Sequence, residues 1–578
     1  MNRRIVGVFV ALLTLCLFGV LLYCNGLSRN FDNFYVSDEE WSKILSEHSE
    51  NRELDLSSLK FNGYNLNIAE DKAYYSIVDN GWHDYNPAIS LHNNLKFAAH
   101  GEKISPSSIE NNTTVEIVIY NDSEYRKLDL VSTTLPILNI DFDTTNGDAP
   151  QTREDEFFRM SLFDNRKKAV NRVIKSDGQA HRRGNVSFGV DKPNLSLKLT
   201  QESVGENTRN NPLPLLGMNE SDNWILSGMY YDYEKVRDAF AAKLWKDINK
   251  NSFNVENAFE FRYVEVIING NYSGLYLLGA KPSPDSIASE IVDEDHPDIM
   301  FKIEDNDDID KFVTDQTNTL RNYKQETEVS ESLAYGVLKE YFKSVFGSDN
   351  IAIENATDMT NAVDFHLFAN VSQNADIPRG LPGYKNAYIS FKWDGERYRA
   401  IFTPWDFDIA LGSSTLFQGY YNLTPETNVV LDIDSVAALR RNGSDTADKM
   451  IQKRYFELRQ GALSDTKIDE TIDSLQVDIF NSGAFRRNQE RWESSQHSDA
   501  NIKLNDFRTH IHQRLSYLDG YYAWGDSECL HEAYAEIPNY ITEYLNSGIL
   551  LAPDDPNYYT KQTEVFVNEE YTEEPAFW

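Results

Sequence analysis

An α+β fold with an N-terminal β-rich accessory domain is predicted by the way periodicity changes along the 578-residue chain. Between residues 26 and 134 the sequence is polar and strand-prone, with runs such as Thr114-Val115-Glu116-Ile117-Val118-Ile119-Tyr120 set between turn-rich intervals. After residue 350 helical spacing takes over, as in Met359, Val363, Leu367 and Val371 behind a cap at Thr357 or Asp358. It returns over Asp448 to Leu463 and Ile502 to Tyr522, which reads as an α-rich carboxy-terminal part. An apolar content of 41% gives such a chain room for two or more domains and a sizeable core.

One predicted hairpin interrupts the helical part. Ala387, Ile389, Phe391 and Trp393 alternate with Tyr388, Ser390 and Lys392; Asp394-Gly395 signals a turn, and Tyr398, Ala400 and Phe402 alternate on the return. Asn386 therefore stands just before the first strand and Asp406 just after the second, so closing the hairpin brings together side chains remote in sequence. Asp376 lies upstream, beyond the helix. Phosphoryl transfer from a nucleotide requires a base for the accepting hydroxyl and oxygen ligands for magnesium on the phosphates, and an acid, an amide and a second acid are groups of that kind. Helix, acidic loop, hairpin and second acid is also the order found in protein kinases. The chain departs from them in having neither an H-R-D nor a D-F-G triplet, and in a longer interval from Asp376 to Asn386. Ordinary loop chemistry is the competing reading, because Asp and Asn bond their own backbone and an acid after a strand often caps a helix.

Four blocks carry a family resemblance. They are R-R-G-N-V-S-F-G-V-D-K-P-N-L-S-L-K-L from Arg182 to Leu199, N-W-I-L-S-G-M-Y-Y-D-Y-E-K-V-R-D-A-F-A-A-K-L-W from Asn223 to Trp245, Y-V-E-V-I-I-N-G-N-Y-S-G-L-Y-L-L from Tyr263 to Leu278, and T-P-W-D-F-D from Thr403 to Asp408. In their order and spacing the chain resembles the spore coat protein H (CotH) kinase family, a divergent group of secretory protein-kinase-like proteins, with weaker helical similarity toward residue 525. The resemblance implies an atypical protein-kinase-like bilobal fold over 135–525, with an N-lobe at 135–281 and a C-lobe at 282–525. It also implies ATP- and magnesium-dependent (or manganese-dependent) transfer of phosphate to Ser or Thr of proteins. Carried over by position, Asp376 resembles the catalytic acid and Asp406 the metal-binding acid of the P-W-D motif. Asn386 would join Asp406 on the metal, and Asp408 stands equally as a further ligand or as the cap of the following turn.

The upstream blocks fit the same order. Arg183-Gly184-Asn185 with Gly189 is a candidate phosphate loop, since glycine lets backbone N–H groups approach closely, although it lacks the G-x-G-x-x-G spacing and an ordinary hairpin turn explains it as well. Lys198 projects from a strand opposite Leu195, Leu197 and Leu199, where a kinase keeps its phosphate-pairing lysine. Lys192 competes for that role, and an edge lysine that deters aggregation is the alternative for either. A helix is predicted over Tyr233 to Ile248, with Glu234 or Asp238 as a partner for the lysine or as a dipole acid; Arg237 resembles an arginine typical of the family at this place, with a surface ion pair as the competing reading. Strands are predicted over Phe259 to Ile268 and Gly274 to Leu278 about an Asn269-Gly270 turn. The end of that block, Leu277-Leu278-Gly279-Ala280-Lys281, lacks the glutamate that relatives usually carry, which leaves a catalytically degenerate member as a standing alternative.

Arg3 and Arg4 precede an uncharged apolar run from Ile5 to Cys24, long enough to span a bilayer, so residues 1–25 read as a membrane anchor with the bulk of the chain outside the cytoplasm, or as a cleaved signal that leaves it secreted. Of three cysteines only Cys529 lies beyond this run, which excludes an intrachain disulfide framework. The acidic stretch Glu304 to Asp310 reads as a solvated inserted loop within 285–350, and 526–578 as an acidic, tyrosine-rich tail. A net charge of −36 argues against nucleic acid and favours a protein substrate carrying basic residues. Phosphorylation of an envelope glycan remains a further alternative, since fold does not fix the acceptor.

Overall fold

The computed structural model describes residues 28–78, 85–92, 94–143, 149–201, 209–284, 295–305, 307–374, 386–413, 423–426, 434–492 and 504–522. The expectations for Ile5 to Cys24, Asp376, Cys529 and the tail fall outside those residues. Helices and strands are mixed along the chain, as an α+β fold requires. Its backbone divides into two compact units: residues 1–230, 262–280 and 476–502 form the first, and 231–261, 281–475 and 503–578 the second.

The first unit contains two open sheets and a closed barrel. One sheet orders Ser28–Asn30, Ala88–Ser90, Lys60–Phe61 and Tyr64–Asn65; the other runs Asn67–Ala69, Lys72–Ser76, Glu124–Thr133, Val115–Tyr120 and Lys96–His100. Phe31, Phe61, Tyr75, Phe97, Ile117 and Leu130 fill their shared core. The barrel is built from Ile137–Phe142, Glu156–Phe163, Val173–Arg183, Asn194–Thr200, Asn223–Ser227, Asn271–Ala280 and Phe261–Ile268, the last pairing in parallel with the first. Closure removes every free edge, and the interior is packed with Leu138, Ile140, Leu195, Leu197, Leu199, Leu226 and Val266. Asn269 and Gly270 both have positive φ, the geometry of a two-residue hairpin turn, so the Asn-Gly signal in the sequence is realised.

A buried ion pair ties a distant segment into this unit. Arg487, on the helix Ala484–Arg491, donates from Nη2 and Nε to Glu265 on Phe261–Ile268 at 2.6 and 2.9 Å, and Tyr272 Oη donates to the same carboxylate at 2.6 Å. Both charges are almost wholly buried. Burial alone would push the Glu265 carboxyl up, but the Arg487 guanidinium and its hydrogen bonds hold it below the usual range.

In the second unit a four-stranded sheet orders Tyr323–Gln325, Ile299–Ile303, Ala387–Trp393 and Tyr398–Pro404. The described residues from Glu304 to Asp308 lie outside helix and strand, with Glu304, Asp305 and Asp308 exposed, between the strand Ile299–Ile303 and the helix Ile309–Val313, which Asp308 caps by accepting from the Lys311 N–H. The short apolar run Ile299–Ile303 was too brief to register beside so many acids. Edge strand Tyr398–Pro404 is covered by the helix Met359–Ser372: Asp358 N–H donates to Ala400 O at 2.9 Å, Asn361 Nδ2 to Phe402 O at 3.1 Å, and Phe402 N–H to Asn361 Oδ1 at 2.6 Å. That helix is capped by Asp358, one of the two predicted caps, and is buried all round from Asn361 to Ser372. No helix among the described residues is long and apolar enough to cross a membrane.

Glu265→Ala would strand the Arg487 charge in the interior, which costs about 3–5 kcal/mol. Urea unfolding should show that loss, and Glu265→Leu combined with Arg487→Met should recover most of it.

Candidate active site

The hairpin forms as the alternation requires. Ala387 pairs with Pro404 at one end and Trp393 with Tyr398 at the other. Asp394 closes the turn by accepting from the N–H groups of Glu396 and Arg397, both at 2.9 Å. At the open end Trp405 N–H donates to Asn386 O at 2.9 Å, which brings the two ends of the motif together. Asn386 (φ 56°) and Asp406 (φ 65°) are both left-handed, a region in which Asn and Asp are the most tolerated side-chain-bearing residues. The Asp406 side chain is exposed and Asp408 half-buried in a turn.

The end of the Met359–Ser372 helix reaches the same place. Gln373 takes a left-handed conformation as its C-cap, Asn374 Nδ2 donates to Asp406 O at 2.9 Å, and Leu411 N–H donates to Ser372 O at 2.6 Å. Asp376 follows Asn374 by two residues in the sequence. The structure thus bonds Asn386 to Trp405, the residue before Asp406, and ties Asn374 to the Asp406 backbone. Oxygen donors of this kind suit a hard cation such as magnesium. Among the described residues no group of three His, Cys, Asp or Glu side chains forms a metal cluster.

The predicted helix Tyr233 to Ile248 begins later, at Arg237. Lys235 has φ 61°, which a helix cannot accommodate, and the residues before it form a buried charged cluster. Arg237 is wholly buried, which rules out the surface reading while keeping the ion pair: its Nη1 donates to Asp232 Oδ1 at 2.8 Å and Glu234 Oε2 at 3.0 Å. Glu234, a candidate partner for a strand lysine, is thus engaged by Arg237. Burial brings the Lys235 amine down to about 8, with Asp232 opposing and Arg237 reinforcing that shift. Asp238, the other candidate, accepts from the Phe407 N–H at 3.0 Å, and Arg237 Nε donates to Ala410 O at 3.0 Å. Sequence reasoning missed both links. The Glu234/Arg237 spacing of three was the available signal for the ion pair, and nothing local announced the Phe407 contact.

In the first unit Lys198 is exposed on the strand Asn194–Thr200, opposite the inward leucines, as the alternation predicts. Lys192 is buried, with Nζ donating to Leu275 O and, at 2.7 Å, to Asn488 Oδ1, and lying 4.5 Å from the Tyr276 ring centre. Arg183-Gly184-Asn185 leads from Val173–Arg183 into a short 3-10 turn. Gly184 has φ 113°, and a β-carbon there would collide with Ser187 Oγ. Gln151, Arg153 and Arg182 crowd the same loop: Arg182 donates to Gln151 Oε1 at 2.9 Å, and the guanidinium of Arg153 lies over Phe188. The loop is therefore a tight basic turn without glycine spacing of the phosphate-binding kind.

His510 in the second unit bonds through Nε2 to Gln373 Oε1 at 2.7 Å, just where the helix before Asp376 ends. Burial lowers its pKa from 6.5 to about 4, helped by the charges of Arg237 and Arg514 and opposed by Glu426. A depressed histidine pKa contributes stability that is complete above about 6.5 and is lost as pH falls toward 4, on the order of 3 kcal/mol in all. Urea unfolding at pH 7 and pH 5 should therefore show acid destabilisation, and His510→Asn should flatten it.

The family profile described as CotH kinase protein matches residues 180–518, which take in both candidate lysines, the buried Arg237 cluster, the hairpin and the Asp406 loop. A comparison with the curated proteins gave no match. Because the matched span is more than half of the sequence, the chain belongs to the CotH kinase family.

Proposed function

We propose that this chain is a bilobal, kinase-like transferase acting outside the cytoplasm, anchored by or released from its Ile5 to Cys24 segment, that moves phosphate from ATP to Ser or Thr of envelope or surface proteins. The observation that carries the reading is the Asn374–Asp406 bond beside the Asn386–Trp405 bond, because it joins the segments bearing the base candidate and the metal candidates. Asp376 takes the proton of the accepting hydroxyl; Asp406, Asn386 and Asp408 present oxygens for magnesium; Lys198 or Lys192 offsets phosphate charge. Magnesium, when bound, neutralises charge on the phosphates. The chain's formal charge of −36 suits a basic protein acceptor.

A second reading, a surface-binding protein that keeps the fold without transfer, is favoured by Lys192, whose ammonium already meets Leu275 O and Asn488. The two are separated by incubating the exported portion with labelled ATP and magnesium or manganese. Label on the protein itself or on an added basic protein, reduced at least about a hundredfold in Asp376→Ala and in Asp406→Ala with unchanged circular dichroism, supports transfer. Nucleotide binding without label supports the second reading, and label confined to glycan moves the acceptor.

A further inference from the structure

We infer that Asp238 and Arg237 are positioning residues for the metal-binding acids, acting through the backbone of the Asp406 loop; this rests on the reading of Asp406 and Asp408 as metal ligands. Phe407 lies between those two acids. Its N–H donates to Asp238 Oδ1 at 3.0 Å, so the Asp238 carboxylate fixes the peptide linking Asp406 to Phe407. Three residues on, Arg237 Nε donates to Ala410 O at 3.0 Å. The two side chains are neighbours at the start of the helix Arg237–Ile248, and together they hold the stretch that contains both acids.

Arg237 is itself held. Asp232 Oδ1 and Glu234 Oε2 accept from its Nη1, and Asp232 Oδ2 accepts from its backbone N–H at 2.7 Å. The guanidinium is wholly buried and lies 5.8 Å from the Phe507 ring centre. Its direction toward Ala410 is therefore set before any ligand arrives. Positive φ at Asp406 and Leu411 makes the loop one that relaxes unless bonded, so losing a bond should change where the carboxylates point more than whether the unit folds.

Asp238→Ala removes the acceptor, whereas Asp238→Asn keeps an acceptor oxygen without the charge. Manganese binding, followed by electron paramagnetic resonance with ATP present, should weaken roughly tenfold in Asp238→Ala, the loss expected for one hydrogen bond to a charged group. In Asp238→Asn it should stay within about threefold of wild type. Amide hydrogen exchange over 405–411 should rise in Asp238→Ala, with the urea midpoint nearly unchanged. Wild-type metal affinity in Asp238→Ala would overturn the inference while leaving the metal reading intact. Equal loss in Asp238→Asn would overturn it too, by showing that the charge itself is needed. Absence of manganese binding by the wild type would sink the metal reading and the inference with it. Should Asp238→Ala fail to fold, Arg237→Lys, which shortens the reach to Ala410 and retains the charge, gives the same readings: loosened exchange at 405–411 with weakened metal affinity upholds the inference, and unchanged affinity rejects it.

Discussion

Left-handed backbone at Asp406 and Leu411 is the constraint around which this part of the second unit is organised. Such conformations cost on the order of 1–3 kcal/mol each and persist only where their surroundings over-determine them. Here the surroundings come from separate stretches of chain: Asn386 O accepts from Trp405, Asn374 donates to Asp406, Asp238 accepts from Phe407, Arg237 donates to Ala410 and Ser372 O accepts from Leu411. Hairpin, buried helix and charged cluster each supply part of the support. A loop made this way has its backbone path set by folding, and preorganised charge is the main resource available to phosphoryl transfer.

Arg487 in the first unit and Arg237 in the second are both buried, and they serve different ends. Arg487 is matched by Glu265 in a bidentate arrangement with Tyr272 and fixes a late segment of the chain into the first unit. A well-packed apolar replacement could hold that segment as firmly, since desolvation offsets much of what a buried pair gains. Arg237 has no such substitute. Its partners Asp232 and Glu234 occupy one nitrogen and leave Nε to address a backbone carbonyl in the acid loop, a directional contact that apolar packing cannot reproduce.

The readable parts of the fold were those with a strong period or a specific turn residue. Ala387 to Phe402 revealed its hairpin by alternation and Asp394-Gly395, the barrel hairpin by Asn269-Gly270, and the helix ahead of Asp376 by four-residue spacing with Asp358 as cap. Ile299–Ile303 was hidden because five apolar-rich residues beside an acidic run carry little periodic signal, and its pairing with Ala387–Trp393 is a non-local fact. The helix start at Arg237 was misplaced because Lys235 is left-handed by tertiary demand, which propensity does not encode. Around the candidate site, the approach of the segments carrying Asn386 and Asp406 was legible from the hairpin. The parts played by Asp238, Asn374 and Arg237 were not, because each reaches across space to a backbone group that any residue could own.

The hairpin also sets its Asn386 end apart from a groove in the second unit. A groove of about 630 Å³ is lined by Leu333, Val337, Tyr341, Ile351, Trp393 and Tyr398, at the turn end of the hairpin. Asn386 and Trp405 stand at the other end, and a strand of the length of Ala387–Trp393, rising about 3.3 Å per residue, sets the two roughly 20 Å apart. The lining is apolar and aromatic, with carboxylates such as Glu340 and Glu396 at its rim held by Lys343 and Arg397. Such walls suit apolar groups, whereas the open end of the hairpin carries the exposed Asp406 and the half-buried Asn386, oxygen donors of the kind that a hard cation takes. Cavity size and directional hydrogen bonding thus single out opposite ends of the hairpin, and the candidate residues stand at the hydrogen-bonded end.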